Sequence, residues 1–304
     1  MRDLYQQRLA ASPQLAKPAK LSALSEPIKS DDLGMIGLID ETSVAKKGNV
    51  TPGVQRQYCG ALGKQENGIV TVHLGVCRGG FKTLLDSDLF LPESWSHDRE
   101  RCRAADIPDS VVSRSKWKIA LELLDPSRTN GLQFDTLIFD EYYGGKPDFL
   151  KGLDEREQPF LAEVPKSFRV LMKQPRGPRP KKGWTGKRRQ PREVQSSVAP
   201  ATVAKRATRA SRSGVGRAGR TRPFVRDGER TDWLIVAHNP ATGETKYFES
   251  NAHSDTPLDR LLRIASPRWN IEHLFRVGKS ELGFSHFEGR SYVSLIRHTT
   301  MCAI

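Results

Sequence analysis

The chain has 304 residues, 37% of them hydrophobic, which suffices for one large or two modest domains around a buried core and excludes a wholly disordered chain. Its 49 Lys and Arg against 35 Asp and Glu leave a formal net charge of +14, pointing to a polyanionic partner, nucleic acid first, because basic side chains gain free energy by releasing counterions from phosphates. Cys59, Cys77, Cys102 and Cys302 are widely spaced with no Cys-x-x-Cys pair, excluding a zinc ribbon or disulfide framework, and no run approaches the roughly 18 apolar residues of a membrane span; a cytoplasmic protein with reduced, mostly buried thiols is expected.

Residues 1–32 are polar and carry Pro13, Pro18 and Pro27, so they read as an arm with at most one short helix near Leu4 to Leu9. Gly34 to Asp40 is a short apolar run ending in a carboxylate, the pattern of a central strand. Ile69 to Val76 and Ser87 to Leu91 follow as strands, the second ended by Pro92, and three strands without a helix predict an antiparallel meander. In Ser115 to Leu124 the apolar residues Trp117, Ala120, Leu121 and Leu124 recur at helical spacing, with Pro126 as the stop. Thr136 to Asp140 is again a buried strand closing on a carboxylate, and a short strand is expected around Phe168 to Met172.

This order of three strands, a helix and a further strand is the opening of a ribonuclease H-like sheet. The expected fold is therefore α/β, a mixed sheet flanked by helices, with 33–172 as the first part of the core. Between Lys173 and Arg230 basic residues outnumber acids roughly six to one and apolar residues thin out, the composition of a solvated, disordered linker that can still contact DNA. Trp233 to Ala237 and Lys246 to Glu249 then predict a hairpin across an Asn239 to Gly243 turn, so 173–250 reads as a β-containing, basic insertion. Residues 251–304 complete the core with helices at Leu258 to Ala265 and Asn270 to Leu282, separated or kinked at Pro267.

Asp40 and Asp140 each end an apolar run, where a buried charge is costly unless compensated. Paired strand-end aspartates suggest Mg²⁺ or Mn²⁺, hard ions that prefer carboxylate oxygen, and two such ions about 4 Å apart suit phosphodiester cleavage. The bland alternative is two strand-ending turn or cap residues. Strand alternation sends the neighbouring Glu41 and Glu141 to the other face. On the late helix Arg268, Glu272 and Lys279 return to nearly one face, either a third ligand between two cations or a surface salt-bridge row. Glu281 and Glu288 are rival third carboxylates. Gln55, Arg56, Gln57 and Tyr58 read either as a DNA or active-site contact or as a structural loop. Trp184 could stack on an unpaired base; for Trp233, core packing is the better reading. The seven histidines, among them His273, His286 and His298, have no zinc-ligand spacing.

Several separate stretches resemble one family. Ile39 to Gly48, Val54 to Gln65, Leu91 to Trp95, Trp233 to Ala237, Lys246 to Phe248, Arg268 to Glu272, Lys279 to Gly283 and His286 to Arg290 are similar to insertion-sequence transposases of the DDE superfamily. Within it they resemble the insertion-sequence-seven-hundred-one type, whose last acidic residue lies in a Tyr-Arg-Glu-Lys signature. The resemblance implies that Asp40, Asp140 and Glu272 are the catalytic, metal-holding triad, with Mg²⁺ or Mn²⁺, two ions in all, as cofactor. It implies DNA-phosphate contacts from Arg268 and Lys279; Arg56, by its polar surroundings, and Lys187, Arg188 and Arg189, in the basic segment, are further DNA-binding candidates.

The implied partners are double-stranded DNA, both element terminal repeats and target, and a second copy of the chain on that DNA. The signature's tyrosine falls at Ala265, so a role for that hydroxyl is absent or relocated. Members of the family have a longer region before the first catalytic strand, so truncation at both ends is expected. Two other functions compete: a catalytically inactive truncated transposase acting as a DNA-binding inhibitor, and a ribonuclease H-like cellular nuclease.

Overall fold

A computed structural model of the chain describes residues 33–168, 170–171, 197–198, 217–223, 232–238 and 244–303. The arm expected at 1–32, the Asn239 to Gly243 turn, Trp184 and the cations Lys187, Arg188 and Arg189 lie outside the described residues.

Strand β1 (Ile36–Ala45) is buried on both faces over its first four residues, so it reads as a continuous apolar run. It pairs antiparallel with the long β3 (Lys64–Arg78), from Ile36 opposite Cys77 to Ala45 opposite Gly68. Along the outer edge of β3, β2 (Gln55–Cys59) and β4 (Phe81–Leu89) pair end to end, with Gln55 opposite Gly68 and Leu89 opposite Thr71. On its other side β1 runs parallel to β5 (Thr136–Phe139), and β5 parallel to β6 (Phe160–Glu163). β11 (Thr245–Ser250), β10 (Asp232–His238), β9 (Arg217–Pro223), β7 (Val170–Leu171) and β8 (Ser197–Val198) extend the sheet, each antiparallel to the one before. Four antiparallel strands, two of them sharing one edge of β3, followed by two parallel ones make a mixed sheet consistent with a ribonuclease H-like core.

Side-chain alternation divides the apolar residues between two layers. Ile39, Leu137, Phe139 and Phe160 face α3 (Lys116–Thr129) and α5 (Pro147–Asp154), in one cluster with Leu124, Phe149 and Leu153. Leu38, Ile138 and Leu161 face the opposite way. They share a second cluster with α6 (Leu258–Ala265), α7 (Trp269–Ser280) and α8 (Tyr292–Cys302), through Leu261, Ile271, Phe275 and Leu295. The short helices α1 (Glu93–Ser96) and α2 (Arg99–Ala104) add Trp95 and Cys102 to this layer. All four cysteines are buried thiols outside any disulfide, and no helix among the described residues is long and apolar enough to cross a membrane.

Several element boundaries differ from the sequence reading. β1 does not end at Asp40 but continues five residues to Ala45, because β3 is long enough to pair with all of it. Gln55 to Tyr58 form a strand rather than a loop, with Gln55 and Gln57 partly covered and Arg56 and Tyr58 exposed. The meander's third strand begins at Phe81, not Ser87. Pro126 lies inside α3 rather than stopping it: the Glu122 carbonyl loses a backbone donor, but the helix has only its last turn left, where the Asn130 N–H donates to Pro126 O. Within the segment expected as a linker, Arg217–Pro223 is a strand, paired from Arg217 opposite Val236 to Thr221 opposite Asp232. Backbone hydrogen bonds made that strand, and they do not depend on apolar composition. Pro267 sits, as expected, in a 3₁₀ turn (Ser266–Arg268) between α6 and α7.

Candidate active site

The parallel β1–β5 ladder sets Ile39 opposite Phe139, so Asp40 and Asp140 follow at one level on neighbouring strands. Asp40 shares its face of β1 with Leu38, the face that α6 to α8 cover. Its Oδ1 accepts the N–H of Glu41 at 2.7 Å. Asp140 instead leaves the strand and caps α4 (Glu141–Gly144), accepting the N–H groups of Tyr142 at 3.1 Å and Tyr143 at 3.4 Å. Capping thus coexists with a place on the cleft wall: backbone donors hold Oδ1 of a carboxylate that borders the cleft.

Burial and then the charge of Asp140 raise the Asp40 pKa to about 8. Burial, reinforced by the charge of Glu41 and opposed by the Tyr143 N–H, raises that of Asp140 to about 6. Burial comes first for both carboxylates, and the charge of Arg268 only partly offsets it.

Above the pair lies a cleft of about 670 Å³, bordered by Asp40, Asp140, Glu163, Arg268, Glu272 and Lys279. α7 carries the last two and is set against the sheet by its apolar side, where Ile271 is buried and Phe275 meets the ring of His73 edge-on, centroids 5.0 Å apart. His73 lies opposite Asp40 in the ladder, is fully enclosed, and stays neutral because burial pulls its pKa down to about 3. Arg268, the last residue of the 3₁₀ turn, reaches Glu272 Oε1 with Nη1 at 3.0 Å and Glu163 Oε2 with Nε at 3.2 Å. Lys279 donates to the carbonyl of Ser43 on β1 at 3.0 Å, and burial lowers its pKa.

Among the described residues no three acidic, histidine or cysteine side chains stand together as metal ligands, and Glu272 is paired with Arg268. The donor set nevertheless fits a hard divalent cation. Asp40 and Asp140 offer carboxylate oxygen from a rigid frame, and Glu272 borders the same cleft.

Residues 18–225, more than half of the chain and inclusive of both aspartates, match the family described as DDE superfamily endonuclease. The chain belongs to the DDE superfamily of endonucleases. It is also 35% identical over 132 residues to the protein named "Probable transposase for insertion sequence element IS701" of Microchaete diplosiphon, an alignment covering 43% of this chain and 32% of the relative. The chain thus spans about a third of the length of that curated relative.

In this DDE endonuclease, Asp40, Asp140, Glu272, Arg268 and Lys279 all border one cleft. Arg56 does not: it stands exposed on β2, while its neighbour Tyr58 lines the cleft. The rival carboxylates resolve themselves, Glu281 as the exposed C-cap of α7 and Glu288 as an exposed partner of Lys46 at 3.7 Å. Trp233 packs beside the core and donates its indole N–H to the His253 carbonyl at 3.1 Å.

Glu41 does turn toward α3, where it pairs with Lys116 and accepts the Tyr143 hydroxyl at 3.0 Å, yet it also borders the cleft, as does Glu141. The expectation that alternation removes both from the site is therefore corrected: the cleft wraps the end of β5, and Glu141 belongs to a helix rather than a strand. Glu163 and Arg276 border the cleft without having stood out in the sequence, whereas Tyr58 is the member of the Gln55 to Tyr58 stretch that reaches it. Glu163 follows Leu161 on the α7 face of β6, but a four-residue strand is too short to show period two.

Proposed function

We propose that the chain is a metal-dependent transposase that cleaves phosphodiesters at the ends of an insertion element and joins the freed 3′-hydroxyls to target DNA. The observation that carries this reading is the pair Asp40 and Asp140, delivered at one level by adjacent parallel strands into a cleft rimmed by Arg268, Arg276 and Lys279. Asp40 and Asp140 would hold one or two Mg²⁺ or Mn²⁺ ions, and Glu272 would complete the set once released from Arg268. Bound there, divalent ions supply Lewis-acid stabilisation of the attacking and leaving oxygens.

The protein's own side chains do the rest by position and charge. The β1–β5 register and the α4 cap hold the two carboxylates without side-chain search. Arg276 and Lys279 neutralise phosphate along the α7 wall, while Arg56, Lys187, Arg188 and Arg189 extend contact along the duplex. Tyr58 closes the β2 side with an exposed ring suited to packing on a sugar or base. The enzyme would act in the cytoplasm on nucleoid DNA, as two copies assembled on paired element ends.

The test is Mg²⁺-dependent nicking of supercoiled DNA by Asp40→Asn and Asp140→Asn. Each is expected to lose about a thousandfold or more in rate while retaining salt-sensitive DNA binding in a filter assay. Nicking at the wild-type rate by either variant removes that residue from the chemistry.

A further inference from the structure

Arg268 has two carboxylate partners, and they are not equivalent. Glu272, four residues along the same helical run, is 38% exposed in its side chain; Glu163, at the end of β6, is 15% exposed, as is Arg268 itself. Glu163 is further tied to Lys246 of β11 at 3.0 Å, and its backbone is paired opposite Phe248 in the sheet. One acceptor of the guanidinium is therefore enclosed and paired with two cations, and the other is the more exposed, with Arg268 as its ion-pair partner.

We propose that Glu163 is a positioning residue that retains Arg268 while Glu272 leaves it for the metal. The inference rests on the metal-site reading above and concerns how Glu272 becomes available. Without a second acceptor, pulling Glu272 away would strand a guanidinium with little access to water, and a half-buried cation left unpaired opposes the change. With Glu163 in place the guanidinium stays compensated, so Glu272 can exchange partners at low cost. Lys246 tunes the exchange because it draws on the same carboxylate: the more Glu163 is committed to Lys246, the less it offers Arg268. β11, part of the hairpin inserted between the second aspartate and α7, is in this way wired to the third carboxylate of the site.

The relay makes a signed prediction that general electrostatics does not. Mn²⁺ binding to the full chain is measured by titration calorimetry without DNA, for wild type, Glu163→Gln, Arg268→Gln and the double variant, with thermal melts confirming folding. Glu163→Gln is expected to weaken Mn²⁺ about five- to tenfold in the wild-type background. Arg268→Gln should tighten binding, because the competitor for Glu272 is gone. In the Arg268→Gln background the Glu163 substitution should change affinity by less than about twofold. Should Glu163→Gln fail to fold, Lys246→Gln replaces it with the opposite sign, tightening Mn²⁺ in the wild-type background and not in the Arg268→Gln background.

An effect of Glu163→Gln that is nil, or equal in both backgrounds, overturns the relay, since the glutamate then acts through bulk charge or not at all. Absence of Mn²⁺ binding by the wild type is a different failure, one that removes the metal site itself.

Discussion

The two sides of the cleft hold their carboxylates by different means. On the sheet side, Asp40 and Asp140 are placed by backbone: a parallel ladder sets their level, and N–H groups of Glu41, Tyr142 and Tyr143 fix their oxygens. On the helix side, Glu272 is placed by a side-chain ion pair with Arg268, on a helix whose own position depends on ring packing against His73 and a lysine bond to Ser43. The sheet side is preorganised and electrostatically strained; the helix side is relaxed and adjustable.

The largest effect expected from that difference is on stability in the absence of metal. Asp40 holds its proton in the folded chain up to about pH 8, whereas an unfolded aspartate releases it near pH 4. Across that window the folded state binds more protons than the unfolded one, so stability is highest below the unfolded value and falls as pH rises through the folded value. Chemical denaturation in chelator should show wild-type stability declining between about pH 4 and pH 8. Asp40→Asn, which removes the ionisation, should be more stable than wild type by about 2–4 kcal/mol at the upper end. Saturating Mg²⁺ should flatten the wild-type decline. A stability that rises with pH over this range would place the strain elsewhere.

Next in size is a steric test of the frame around Asp140. A Cβ on Gly144 would lie 2.0 Å from the Glu163 carbonyl oxygen, so α4 can approach β6 closely only without a side chain there. Gly144→Ala should cost about 1–3 kcal/mol in denaturant unfolding and shift the cap that holds Asp140. An unchanged unfolding midpoint would mean that α4 is not held against β6.

The smallest effect belongs to the adjustable half. Glu272→Gln breaks a pair whose carboxylate is 38% exposed, so metal-free stability should move by no more than about 1 kcal/mol. Mg²⁺-dependent nicking should nonetheless fall as it does for the aspartates. A large stability loss without a loss of nicking would invert the comparison between the two sides.

The rigid half was also the legible half. Both aspartates stood out because a carboxylate closing an apolar run is expensive to bury, and the runs are the strands that carry them. Reading that carboxylate as the strand's end hid the second half of β1, since Thr42 and Ser43 are buried but polar and their coverage comes from β3 and α7. Arg268, Glu272 and Lys279 were visible by helical spacing, but spacing says nothing of partners, and the pairing of Arg268 with Glu163 joins residues far apart in the chain. Strand β9 is formed from Arg, Ala, Gly, Thr and Pro and is specified by backbone pairing with β10, which composition does not report. Glu41 illustrates the limit of alternation: it points where period two sends it, and the cleft extends to meet it.

The most direct measurement is a calorimetric Mn²⁺ titration of the metal-free chain near neutral pH, repeated in buffers of different ionisation enthalpy so that proton release is counted. Saturable binding that expels about one proton in the wild type, and loses both affinity and proton release in Asp40→Asn, is the predicted result. Binding that is absent, or that proceeds unchanged with no proton released after either aspartate is replaced, would contradict the account.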